Sequence, residues 1–331
     1  LKPGKDRLTI KTYNRLLDIC NTNEQEGDLL LMSTIQVEQL TKTFGAEKGI
    51  FDVSFAMTKG EVFGFLGPNG AGKTTTIRHL LGFSRPQSGS STILGMDCWT
   101  QSKEIHRHLG YLPAEIAFPE KMTGMGLIRY LADMRKLRDL SKAEELIQRF
   151  QLDPSAKIDR MSKGTKQKIA IVCAFMHSPE ILILDEPTTG LDPLMQSVFI
   201  ELIREEKQRG ASILMSSHVF EEIEGTCDRL GIIRKGRMVS MLDMKDLRKT
   251  AKRTYVVDFA QASELESMEN EAYSLKEIHP DAARVVIEIE DVHINELLRQ
   301  LSARNVKSVS EIQSSLGEHF MGLYKGDASN V

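Results

Sequence analysis

The sequence predicts an α/β fold with a largely parallel sheet, followed by a small α+β domain. Three observations carry that reading. Short apolar runs, Glu61–Leu66, Ile181–Leu184 and Ser212–Ser216, alternate with segments of helical spacing, the pattern of strands buried on both faces. A Gly-rich turn joins the first of these runs to a helix. After about Lys245 the texture changes to alternating strands interleaved with polar-rich helices.

The bulk numbers agree. A chain of 331 residues holds one α/β domain and a smaller companion. Charged residues make up 27% and hydrophobic residues 41%, a globular profile. A net charge of −3 argues against a strongly basic nucleic-acid surface, so nucleic acid is not an expected partner. Apolar stretches such as Ile169–Met176 are too short to span a bilayer, so a membrane role has to run through a partner chain. Cys20, Cys98, Cys173 and Cys227 are scattered, which speaks against a zinc knuckle and for reduced thiols.

The elements follow in order. Residues 1–31 show no sustained period and are expected to be a non-native or disordered extension, with Met32 as the native start. Residues 32–243 form the first domain. It opens on the alternating strand Ile35–Glu38 and the apolar strand Glu61–Leu66. The helix Lys73–Leu81 stops at Gly82, and Arg85–Gly89 is a turn cluster. Helical spacing runs from Thr123 to about Gln151, within a helical subdomain at about 115–165, and resumes over Lys168–Met176. Ile181–Leu184 and Ser212–Ser216 are buried strands. In the second domain, 244–331, the expected strands are Arg253–Ala260, Ala283–Glu290 and Asn305–Ile312. The expected helices are Ala262–Asn270, Val292–Arg304 and Ser314–Tyr324, an interleaving that fits a ferredoxin-like unit.

Gly67-Pro68-Asn69-Gly70-Ala71-Gly72-Lys73-Thr74 matches the phosphate-loop pattern G-x-x-x-x-G-K-[ST] in full, between a predicted strand and a predicted helix. Its glycines let backbone N–H groups aim at phosphate oxygens, and the helix adds the positive end of its dipole. Lys73 is expected on the β- and γ-phosphates, the Thr74 hydroxyl on Mg²⁺, and Thr75 near the α-phosphate. Asp185 and Glu186 end a buried strand. Asp185 suits the Mg²⁺ of such a site, and a carboxylate just beyond it, Glu186, suits activation of a water. That pairing favours a hydrolase over a kinase. His218 closes the next strand, where an imidazole can reach the γ-phosphate.

These motifs, in this order over about Met32–Asp243, resemble the nucleotide-binding subunit of an ATP-binding cassette (ABC) transporter. Met161-Ser162-Lys163-Gly164-Thr165-Lys166-Gln167 is similar to the signature that separates that family from other phosphate-loop ATPases. Thr189-Gly190-Leu191-Asp192 resembles the D-loop, His218 the switch histidine, and Phe44 the aromatic that stacks on adenine. The resemblance implies ATP and Mg²⁺ as cofactors and a head-to-tail dimer. Ser162, Lys163, Gly164, Thr165 and Asp192 would then serve a nucleotide shared with the second subunit. It also implies a permease on a separate chain and a place on the cytoplasmic face of the membrane. The Ser-Lys-Gly form of the signature resembles bacterial drug, bacteriocin and antibiotic exporters, and so does the end of the chain, Ser315-Leu316-Gly317-Glu318-His319-Phe320. Two departures stand out: Lys163 and Thr165 differ from the family's usual Leu-Ser-Gly-Gly-Gln, and the second lies at Ala114. The family places Gln where Ala114 stands in Gly110-Tyr111-Leu112-Pro113-Ala114-Glu115, and Glu115 is the nearest candidate replacement. Rival readings are a soluble ABC ATPase acting on ribosomes or DNA, a regulatory module with degraded catalysis, and an importer subunit. A single cassette with no heptad run disfavours the first, and intact Lys73, Asp185, Glu186 and His218 disfavour the second. The signature variant disfavours the third.

Overall fold

A computed structural model describes residues 33–45, 48–119, 121–249, 252–265, 273–290 and 293–312. The expected extension at 1–31, the last helix Ser314–Tyr324 and the Ser315–Phe320 motif lie outside the described residues. The chain divides into two compact units, one running to His218 and including Gly231–Ser240, the other comprising Val219–Leu230 and the chain from Met241 onward.

The expected parallel sheet is present, and its order explains how distant motifs meet. Strands β3 (Val62–Leu66), β6 (Leu109–Leu112), β7 (Ile181–Asp185), β8 (Ser212–Ser217), β9 (Arg229–Arg234) and β10 (Arg237–Asp243) form a six-stranded sheet ordered β10-β9-β3-β8-β7-β6. β3, β8, β7 and β6 pair in parallel, with Leu66 beside Ser217 and Asp185 beside Ser216. The carboxyl ends of β3, β7 and β8 therefore lie side by side, where loops of an α/β sheet gather ligands.

A second sheet, antiparallel, was not anticipated from the sequence. It joins β1 (Ser33–Thr43), β2 (Gly49–Thr58), β4 (Ser88–Ile93) and β5 (Met96–Asp97) in the order β2-β1-β4-β5. Its strand β4 begins inside the expected turn cluster Arg85–Gly89. Ser-Gly-Ser-Ser has little intrinsic strand preference; pairing of Ile93 with Ile35 and of Ser91 with Val37 overrides it. Between the sheets sits α1 (Lys73–Leu80), whose Ile77 and Leu80 are fully buried with Phe55, Phe63 and Phe65. Burying each such side chain is worth about 1.5–3 kcal/mol, which holds the helix and the loop before it in one place.

The helical region comprises α2 (Ser102–His108), α3 (Gly124–Met134), α4 (Ser141–Arg149) and α5 (Lys163–Phe175). Thr123 caps α3 by accepting from Gly126 N at 3.1 Å. Helix α5 starts five residues earlier than the apolar spacing of Lys168–Met176 implies, because Ser162 caps it. Helix α6 (Pro193–Gln208) follows β7, capped by Asp192 with Pro193 in its first turn.

In the C-terminal unit, β11 (Lys252–Phe259), β12 (Tyr273–His279), β13 (Arg284–Glu290) and β14 (Val306–Ile312) form an antiparallel sheet ordered β12-β13-β11-β14. Its core gathers Val257, Phe259, Val285, Ile287 and Ile289 with Leu297 and Leu301 of α7 (Ile294–Ser302). The strand order is ferredoxin-like. Two elements differ from expectation. β12 carries Lys276, Glu277 and His279, which mask its alternation, and the described part of the expected helix Ala262–Asn270 is a single 3-10 turn, Ala262–Leu265.

Candidate functional site

The loop Gly67–Thr75 runs from the end of β3 into α1. Two of its glycines are required by close packing: a Cβ at Gly67 would lie 2.3 Å from Ile233 O, and one at Gly72 would lie 2.7 Å from Ile50 Cγ2. Gly70 has open space around it but a φ of +79°, and Gly72 a φ of +114°, conformations that side chains disfavour. Pro68, Asn69 and Gly70 are exposed, while Ala71 is buried and Thr75 half-buried. No side chain caps α1 and no acid stands in its first turn. Its first N–H groups are thus left for an anion.

A hairpin turn braces the loop from behind. Gly236 N donates to Ala71 O at 2.8 Å, and Phe51 N donates to Gly236 O at 2.7 Å. The Arg237 guanidinium lies over the Phe51 ring at 5.2 Å. Phe44 stands just past β1, 62% exposed, with its N–H on Lys48 O. Thr43 pairs with Gly49, and the next residue, Ile50, touches Gly72; the hairpin therefore carries Phe44 toward the phosphate loop.

Lys73, almost wholly buried, donates to Gly67 O at 2.5 Å and lies 3.0 Å from Glu186 Oε1. That ion pair lacks the alignment of a hydrogen bond. The other oxygen, Glu186 Oε2, lies 2.6 Å from His218 Nδ1. Lys73, Glu186 and His218 thus form one chain of contacts. Beside it, Thr74 Oγ1 donates to Asp185 Oδ2 at 2.7 Å and Ser216 Oγ donates to Asp185 Oδ1 at 2.5 Å. Burial pushes the Asp185 carboxyl above its ordinary pKa, and the two hydroxyls pull the other way. Burial, helped by Asp185, also raises Tyr111 to about 12. No group of three or more His, Cys, Asp or Glu among the described residues could hold a metal. Thr74 Oγ1 and Asp185 Oδ2, 2.7 Å apart, are oxygen donors of the kind that suit a hard divalent cation.

The residues of the Ser162–Thr165 segment cluster at the start of α5. Ser162 Oγ accepts from Thr165 N at 3.1 Å and lies 2.8 Å from Thr165 Oγ1. A Cβ at Gly164 would meet Gly190 O at 2.6 Å, and the Lys163 stem lies over Gly190. Asp192 accepts from Met195 N at 3.0 Å, so its visible task is to cap α6. Gln167, buried, donates to Pro187 O at 2.6 Å and ties α5 to the turn after Glu186. Ala114 and Glu115 line a cavity of about 360 Å³ together with Lys163, Lys166 and Gln167. His79, His106 and His177 bond the backbone carbonyls of Thr75, Leu81 and Leu109. Ser216 and the Gly236 turn were not singled out by the sequence, and Gln167 entered only as the last residue of the signature-like segment. Ser216 stands two residues before His218 in a strand that also carries Ser212 and Ser217, so the sequence offers no signal that distinguishes it.

A family model described as ABC transporter matches residues 50–189. Over 221 residues the chain is 35% identical to the probable multidrug ABC transporter ATP-binding protein YbhF of Escherichia coli (strain K12), covering 65% of this chain but only 38% of YbhF. It is 31% identical over 303 residues to the bacitracin transport ATP-binding protein BcrA of Bacillus licheniformis, covering 89% of this chain and 99% of BcrA. A solved ATP-binding subunit of an ABC transporter superposes with a TM-score of 0.60 at 33% identity, over 65% of this chain and 92% of that one. With the phosphate loop and the paired acids at adjoining strand ends, the signature-like segment tied through Gln167 to the turn after Glu186, and likeness to BcrA along nearly its whole length, the chain belongs to the ATP-binding proteins of the ABC transporter family.

Proposed function

We propose that this chain is the ATP-hydrolysing subunit of an exporter, working as a head-to-tail dimer that drives a permease on a separate chain. The observation that carries the reading is the Lys73–Glu186–His218 chain at the adjoining ends of β7, β8 and the phosphate loop. The loop N–H groups and Lys73 bind the phosphates, and Phe44 stacks on the adenine. Thr74 and Asp185 would hold Mg²⁺, which when bound would offset phosphate charge. Glu186 orients the attacking water and accepts its proton, and His218 fixes the carboxylate in place. Ser162, Lys163, Gly164, Thr165 and Asp192 face the nucleotide of the second subunit. BcrA and YbhF carry names of bacitracin transport and multidrug transport, which favours export. No helix among the described residues is long and apolar enough to cross a membrane, in keeping with peripheral attachment through a permease at its cytoplasmic face.

The test is Glu186→Gln in the full chain. It keeps ATP affinity, slows hydrolysis by about 10²- to 10⁴-fold, and accumulates an ATP-bound dimer on size exclusion. Turnover at the wild-type rate in this variant refutes the assignment.

A further inference from the structure

We propose that Ser216 is a positioning residue for hydrolysis, its hydroxyl orienting the Asp185 carboxylate and pinning the backbone at Glu186. The inference rests on the ATPase reading above. Ser216 sits near the end of β8 and is completely buried. Its Oγ donates to Asp185 Oδ1 at 2.5 Å and accepts from Glu186 N at 3.1 Å. One hydroxyl therefore uses its proton on the first acid and a lone pair on the amide of the second.

Each contact has a consequence. Asp185 Oδ2 accepts from Thr74, so with Oδ1 held by Ser216 the carboxylate plane cannot turn about its terminal torsion. The oxygen offered next to Thr74 is always the same one. Glu186 has a φ of +52°, the left-handed region that a side chain disfavours. Its amide lies between Ser216 O at 3.2 Å and Ser216 Oγ, so both acceptors of the strained residue's N–H come from Ser216. That turn aims Glu186 Oε1 at Lys73 and Oε2 at His218. Ser216 is thus the link between the acid that would hold the metal and the acid that would act on water.

Valine and threonine separate the hydroxyl from the volume. Ser216→Thr and Ser216→Val add nearly the same bulk, and only the first keeps the Oγ; Ser216→Ala removes the hydroxyl with no added bulk. Two readouts apply to the full-length protein: equilibrium affinity for a fluorescent ATP analogue with and without Mg²⁺, and the split of kcat against KM. Ser216→Ala and Ser216→Val lose most of the Mg²⁺-dependent gain in affinity, and their kcat falls about 10- to 100-fold with little change in KM. Ser216→Thr exceeds Ser216→Val in both readouts by that factor. Equal impairment of the Thr and Val variants overturns the proposal, as does an Ala variant that matches wild type. Lys73→Ala is the control: if it keeps nucleotide affinity, the ATPase reading has failed. If it loses affinity while Ser216→Ala and Ser216→Val behave as wild type, only the role of Ser216 has failed.

Discussion

Glu186 is the residue on which the site turns. Its backbone is left-handed and its two oxygens face different partners, Lys73 at 3.0 Å and His218 at 2.6 Å. Removing His218 frees one oxygen and leaves the carboxylate to be held by Lys73 alone, the group expected to bind phosphate. His218→Ala therefore keeps nucleotide affinity while kcat falls about 100-fold, the lower end for loss of a group in acid–base work. Stopped-flow nucleotide binding beside steady-state hydrolysis separates the two. A variant that loses affinity and keeps kcat would contradict the contact chain. At this scale the sequence was highly informative: Lys73, Asp185, Glu186 and His218 could each be named from a strand end and a neighbouring motif. Ser216 could not, because a serine hydroxyl has no signature until the strand beside it is known.

Among the elements, α5 has the widest reach. Its first turn carries the signature residues, yet its Gln167 donates to Pro187 O, one residue past Glu186. One helix is thus tied both to the segment proposed to face a second subunit and to the turn that follows Glu186. Gln167→Ala takes the donor from a carbonyl in a buried turn and leaves it unmatched, at a cost of about 1–3 kcal/mol. Denaturant unfolding should show that loss as a lower midpoint at an unchanged slope. No shift in the midpoint would mean that water or a neighbour replaces the amide. Sequence patterning located this helix but began it five residues late, since Ser162–Gln167 is polar and only the cap at Ser162 reveals the start. The second sheet was harder still. β4 is Ser-Gly-Ser-Ser before its first isoleucine-bearing pair, and its strand character comes from β1 alongside rather than from its own residues. β12 was missed for the same reason, with Lys276, Glu277 and His279 on a sheet edge.

Over the whole molecule, two imidazoles shielded from solvent, His79 buried and His177 half-buried, predict how the fold meets acid. His177 sits just past α5 with Nε2 at 3.2 Å from Leu109 O, a carbonyl that Arg135 also serves at 3.0 Å. Burial, then the positive charge of Arg135, holds its pKa down to about 4 from the ordinary 6.5, with Arg209 adding to the effect. His79, buried on α1, is shifted in the same direction, chiefly by burial. The sign follows from proton counting. Below pH 6.5 the unfolded chain takes up a proton at His177 that the folded chain refuses until about pH 4. The stability contribution is therefore complete above that upper value and is lost as pH falls through the window. Asp185 acts oppositely, because its raised pKa lets the folded state bind a proton earlier than the unfolded one. Comparing variants isolates the imidazole. Glutamine at 177 keeps a donor for Leu109 O and cannot titrate. Between about pH 7.5 and about pH 5, wild type should lose about 1–2 kcal/mol more stability than His177→Gln, after allowance for partial solvent contact. Thermal or denaturant unfolding at the two pH values measures the difference. Equal losses in the two proteins would show that His177 protonates in the folded state as readily as in the unfolded one, and that the acid sensitivity of the sheet lies elsewhere.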